Sequence, residues 1–127
     1  MTNEAVKEII ENYVQAYNSF DVDGIVKRLH TDIVFRNFSN GELDTETRGI
    51  EAFRELAEKS ANMFSSRRQV MIDYKAMDDK VEVQIDYEGT LAIDLPNGLK
   101  AGDTIQLQGK SIFQMKAGKI SLIEDYS

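Results

Sequence analysis

Val81-Glu82-Val83-Gln84-Ile85-Asp86-Tyr87-Glu88 opens the stretch that decides the fold, Val81 to Ser127. Apolar residues at 81, 83, 85 and 87, with Leu91 and Ile93 in phase, alternate with Glu82, Gln84, Asp86, Glu88, Thr90 and Asp94. Ile105, Leu107, Phe113 and Met115 alternate in the same way with Gln106, Gln108 and Gln114, and Ser111 is the one polar residue in phase with Phe113. A period of two over this length means long strands with one dry and one wetter face. Three such strands fold back on one another, separated by turns at Pro96-Asn97-Gly98 and Ala117-Gly118. The last strand is ambiguous in phase. Ile120, Leu122, Glu124 and Tyr126 share one face, and Ser121, Ile123, Asp125 and Ser127 the other.

Working outward, Asp78-Asp79-Lys80 is a turn, and before it Val70, Ile72 and Tyr74 begin the sheet. Gly49 to about Phe64 is helical in pattern, with Ile50, Phe53, Leu56, Ala57 and Ala61 on one stripe. Polar Gly41–Arg48 reads as a loop, and Ile33, Val34, Phe35 and Phe38 as a short strand. At the start, Thr2 or Asn3 caps a helix whose stripe is Ala5, Val6, Ile9, Ile10, Tyr13, Val14 and Tyr17. Asp21 or Asp23 caps a short second helix carrying Ile25, Val26 and Leu29. The predicted order is helix, helix, strand, helix, then four strands. That order gives an α+β fold: a cone-shaped, curved, mainly antiparallel sheet with three helices on its concave face.

The 127 residues fit one domain, 1–127, with one core. A net charge of −7 argues against a nucleic-acid partner and against anionic membrane surfaces. No apolar run approaches the roughly 20 residues of a membrane span. The N-terminus lacks a basic region followed by an apolar core, so a cytoplasmic location is expected. There is no cysteine and a single His, which leaves no disulfide, no thiolate nucleophile and no zinc-thiolate or His-rich metal site. The carboxylates Glu82, Asp86 and Glu88 lie along one strand, spread about 7 Å apart rather than converging on an ion. No metal or cofactor is expected.

The order and spacing of Tyr13-Val14-Gln15-Ala16-Tyr17-Asn18, Asp21-Val22-Asp23-Gly24, Leu29-His30-Thr31-Asp32-Ile33, Arg48-Gly49-Ile50-Glu51-Ala52-Phe53 and Gly109–Glu124 resemble the nuclear transport factor 2-like superfamily. Within it the chain is most similar to the SnoaL-like polyketide cyclases and the ketosteroid isomerase-like proteins, over nearly its whole length. The resemblance implies a mixed, mainly antiparallel curved sheet around a pocket for a small, largely apolar molecule, and a homodimer. It implies no single chemistry.

Ketosteroid isomerases use an Asp base beside an oxyanion hole of a Tyr and a protonated Asp. By resemblance the Tyr corresponds to Tyr13. The base position is Asn37, an amide that takes no proton, and the second oxyanion acid is Ser111. The polyketide cyclases place an acidic residue on the last strands, and Asp125 is the nearest match. The resemblance, not the periodicity, turns Asp125 into the pocket. The candidate catalytic residues are therefore Asp125, Tyr13 and Asn37. The implied pocket is lined by Tyr17, Phe35, Phe53, Tyr87, Ser111, Phe113 and Ile123.

Each candidate has a structural alternative. Tyr13 reads equally as core, Asn37 as a strand-end turn residue, Ser111 as a filler of tight space beside Gly109, and Asp125 as part of a frayed terminus. His30 reads as a helix-terminus residue, and Arg67-Arg68 as a solvated pair at a strand start. Three functions follow: a proton-transfer cyclase or isomerase acting on a carbonyl compound, a non-catalytic binding protein, or a hydrolase or dehydratase. The dimer is expected through the outer sheet face at Thr90, Ala92, Gln106, Gln108 and Ile112.

Overall fold

The computed structural model describes residues 2–127. The elements are α1 (Asn3–Asn18), α2 (Val22–Val26), β1 (Leu29–Ser39), β2 (Glu42–Arg48), α3 (Ile50–Ala61), β3 (Phe64–Ala76), β4 (Lys80–Leu91), β5 (Thr104–Lys116) and β6 (Lys119–Tyr126). The strands form one sheet in the order β2-β1-β6-β5-β4-β3. Only β1 and β6 run parallel; every other neighbouring pair is antiparallel. The result is the expected α+β architecture, a curved mixed sheet with the helices packed on one face.

Thr2 caps α1 by accepting the Ala5 N–H at 3.1 Å. The helix buries Ile10, Tyr13 and Val14 in a core with Val83, Phe113 and Ile123 from the sheet and Ile25, Leu29 and Ile33 beside them. Its C-terminal end is fastened to β3. The Asn18 side chain accepts the Gln69 N–H at 2.7 Å and donates to the Gln69 carbonyl at 3.0 Å. That paired bond fixes where the next side chains toward the N-terminus, Tyr17 and Tyr13, meet the sheet.

Several elements differ from the sequence reading. Gly41–Arg48 is not a loop: β2 pairs antiparallel with β1 from Ser39↔Glu42 to Val34↔Arg48. Its polarity suits an edge strand, whose outer side faces water. Asn40-Gly41, at φ of 54° and 81°, makes the two-residue hairpin turn. Leu29 and His30 belong to β1 rather than to a second helix, and Leu29 is fully buried there. Phe64 starts β3, six residues before Val70, because the polar run Ser65–Gln69 hides the strand's beginning. Ile93 lies past the end of β4 and is exposed, and Leu107 on β5 is exposed as well. Ile112, expected on an open outer face, is buried instead among its long-chain neighbours on β4 and β6, Glu82 and Glu124.

The phase of β6 is settled by an irregularity. Its pairing slips against β5 between Gln114 and Met115, and against β1 between Leu29 and Val34. Ile120 and Ile123, three residues apart, are therefore both buried. Beyond the slip, Asp125 turns inward, while Glu124 and Tyr126 turn outward. Glu124 pairs with Arg36 Nη1 at 3.0 Å, and the Tyr126 ring stacks on Phe38 at 4.7 Å.

Gly109 lets the end of β6 come close. A Cβ there would collide with the Tyr126 carbonyl, a backbone atom with little freedom to move. Gly109→Ala is expected to cost about 1–3 kcal/mol of stability, the usual range for overpacking, and to push Asp125 out of line. Urea denaturation checks this; an unchanged midpoint would mean that the strand end yields without cost.

Candidate functional site

Strand pairing gathers the three positions singled out on the sheet. Asp125 on β6 is the register partner of Asn37 on β1 and of Ser111 on β5. Ser111 is buried and its Oγ donates to Asp125 Oδ1 at 2.6 Å. Burial disfavours the charged carboxylate and raises the Asp125 pKa to about 6, although the Ser111 bond pulls it back. Asp125 is thus an anchored strand residue rather than a frayed end. The chain after it is tied down as well: the Ser127 N–H donates to the Phe38 carbonyl at 3.0 Å.

Tyr13 approaches from α1. Its ring packs edge-on against Phe113, with centroids 5.7 Å apart. Burial, then the nearby Asp125 carboxylate, pushes its pKa well above the ordinary phenol value. Tyr13 therefore remains a neutral hydroxyl able to donate. One turn later, the Tyr17 hydroxyl donates to that of Tyr87 at 3.0 Å, and burial raises the pKa of both phenols.

Asn37 is committed elsewhere. Its Nδ2 donates to Asp44 Oδ1 and Oδ2 at 3.0 and 3.1 Å and approaches Ser39 Oγ at 3.4 Å. Ser39 Oγ also donates to Asp44 Oδ2 at 2.7 Å. A carboxylate can only accept, so the nitrogen end of the amide must face it. These bonds hold the Asp44 carboxyl below the usual range, with Asn37 the largest cause. The expected role of Asn37 as a donor to a substrate oxygen is not supported by this geometry, because its NH₂ already serves Asp44.

A cavity of about 380 Å³ opens beside this cluster, lined by Tyr13, Tyr17, Phe35, Asn37, Phe53 and Asp125 among others. Phe35 and Phe53 meet edge to face at 5.8 Å. A smaller cavity of about 190 Å³ adjoins it, sharing Asp125, Tyr17 and Asn37 and including Tyr87 and Ser111. Asp125 borders both. Phe113 and Ile123 border neither: they are core residues, 1% and 0% exposed, which corrects their expected place in the pocket wall.

Asp44 and Arg67 are among the lining residues that the sequence does not point to. Asp44 sits on β2, whose polarity suggests a loop. Arg67 stands beside Arg68 in a pair that suggests solvated cations, yet only Arg68 is exposed; Arg67 is 5% exposed. Its guanidinium lies 3.7 Å from the Tyr17 ring centroid and 4.6 Å from that of Phe20. Nothing in an Arg-Arg pair distinguishes the buried member.

Among the described residues no group of three or more His, Asp or Glu side chains converges as a metal site. No helix there is long and apolar enough to cross a membrane.

The family model of the SnoaL-like domain matches residues 10–123. No curated protein matches the sequence. Among solved structures, a protein from Xanthomonas campestris pv. campestris assigned as a polyketide cyclase is 19% identical, with a TM-score of 0.84 over 98% of this chain and 90% of its own. A protein of ketosteroid isomerase-like fold from Catenulispora acidiphila, in complex with trimethylamine, is 13% identical, with a TM-score of 0.78 over 94% and 85%. An LEH-like epoxide hydrolase from M. tuberculosis is 19% identical, with a TM-score of 0.76 over 98% and 83%. At these identities the likeness is one of fold. With the family model spanning most of the sequence, the chain belongs to the SnoaL-like domain family, on the nuclear transport factor 2-like fold.

Proposed function

We propose that this protein binds a small, largely apolar carbonyl compound and moves a proton on it, as an isomerase or cyclase. The observation that carries this reading is Asp125: an inward carboxylate at the cavity wall, raised to about 6, with Ser111 as its hydrogen-bond partner. A base of that strength is mostly ionised at neutral pH yet stronger than a solvated carboxylate, which favours proton abstraction.

In the proposed step, Asp125 removes a proton from the carbon next to the carbonyl. The C–H electron pair moves into the adjoining bond and the carbonyl pair onto oxygen. Tyr13, kept neutral by its surroundings, donates to the developing enolate. Return of the proton to another carbon isomerises the substrate. Attack of the enolate carbon on a second carbonyl carbon closes a ring, and the oxygen of that carbonyl, left with the electron pair, takes the proton back from Asp125.

Melting shifts over a panel of small carbonyl compounds identify ligands, and turnover of each by the parent protein and by Asp125→Asn tests the reaction. Ligands that bind but are never converted would leave a binding protein.

The outer sheet face is proposed as a homodimer interface. Gln106 and Gln108 are exposed on β5 and Ala92 just past β4, a surface suited to a polar two-fold contact. Sedimentation is expected to give twice the monomer mass at micromolar concentration; a persistent monomer would refute the interface.

A further inference from the structure

Arg67 is a buried cation for which the fold supplies no anion. Among the described residues it pairs with no carboxylate, and in particular not with Asp125. Its Nε donates to the Tyr17 carbonyl at 2.9 Å and its Nη1 reaches Ser60 Oγ at 3.4 Å. Nη2 has no protein acceptor, yet it is not sealed in the packing like Tyr74 OH or Thr47 Oγ1. Arg67 lines the larger cavity, whose wall it shares with Ser60, Tyr13 and Asp125. The guanidinium carbon lies over the Tyr17 and Phe20 rings, an aromatic setting that holds the cation in place without neutralising it.

A desolvated guanidinium without a counter-charge is costly, and a ligand anion in the same cavity would offset that cost. A planar fork with free N–H groups matches a carboxylate in particular. Arg67 and Asp125 border one cavity without touching. A molecule held by its anionic end at Arg67 would therefore extend its other atoms toward Asp125 and Tyr13.

We propose that Arg67 is the anion-recognition group of this cavity, and that the natural ligand is an apolar molecule carrying a carboxylate. This rests on the cavity being the ligand site of the proposed function, and it narrows the substrate to a carbonyl-bearing acid.

Binding of benzoate, 2-naphthoate and octanoate, each against its methyl ester, tests this by calorimetry at pH 7.5. At least one acid is expected to bind about tenfold or more tighter than its ester, the increment of a charge-assisted hydrogen bond. In Arg67→Met, which keeps an unbranched apolar stem and removes the charge, the acid-to-ester ratio is expected to fall to near one with ester affinity kept. Arg67→Lys, with a point charge in place of the fork, is expected to retain part of the preference, and serves if the Met variant does not fold. Equal binding of acid and ester, a preference that survives in Arg67→Met, or binding of no acid in the panel would overturn the assignment. The same titrations in Asp125→Asn separate the two proposals. An Arg67-dependent acid preference there, with no carbonyl acid consumed by the parent protein, sinks proton transfer alone. Conversion of neutral ketones as efficiently as their acids sinks the anion site alone.

Discussion

Asp125→Asn is expected to lower turnover of any accepted carbonyl substrate by about 10²–10⁴-fold, the usual contribution of a positioned general base. Affinity should change little, because asparagine keeps the shape and its Oδ1 can still accept from Ser111 Oγ. In the parent protein kcat/KM should rise with pH through about 6 and then level off. Tyr13, held well above the ordinary phenol value, adds no falling limb near neutrality. The same substitution carries an opposite signature in stability. The folded pKa of Asp125, about 6, lies above the ordinary value of 3.8. Between those values the native state holds the proton that the unfolded chain releases, so native stability falls as pH rises through this window. Above pH 6 the full penalty applies, about 3 kcal/mol for a shift of this size. Below pH 4 there is none. Asp125→Asn should therefore melt higher than the parent at pH 8 and at nearly the same temperature at pH 4. A variant that loses activity and is also destabilised at pH 8 would indicate a structural carboxylate instead.

Phe113→Ala is expected to cost about 3–5 kcal/mol, the range for removing a fully buried aromatic ring. Phe113 is 1% exposed on β5 and supports Tyr13 edge-on. A domain of this size is stable by roughly 5–15 kcal/mol, so the variant should be close to unfolding at 37 °C. Thermal and urea melts check the magnitude. A loss below about 1 kcal/mol would mean that the ring lines open space, as the sequence reading held, and not the core.

The contrast between Phe113 and Asp125 shows what the sequence could convey. Alternation along β4 found Val81, Val83, Ile85 and Leu91, because a strand with one buried face must repeat every two residues. The rule fails where the backbone slips. The irregularity in β6 buries both Ile120 and Ile123, so the phase of Asp125 was available only from likeness to a family. Polar edges were equally silent. Glu42–Arg48 pairs through its backbone along one side only and needs no apolar pattern, which hid β2 and with it the Asp44 partner of Asn37. Arg67 was hidden because the rings over it, Tyr17 and Phe20, are about 50 residues away in sequence and close only after folding. Phe35 and Phe53 border the cavity, whereas Phe113 and Ile123, equally apolar, fill the core. Apolar character alone does not tell a pocket wall from the packing behind it.

The most direct measurement is the titration of the Asp125 carboxyl carbon by NMR, assigned by its disappearance in Asp125→Asn. A midpoint near 6 is the expected result for an inward carboxylate hydrogen-bonded by Ser111. A midpoint at the ordinary aspartate value near 3.9 would mean that water reaches the group freely, and would contradict its assignment as the base.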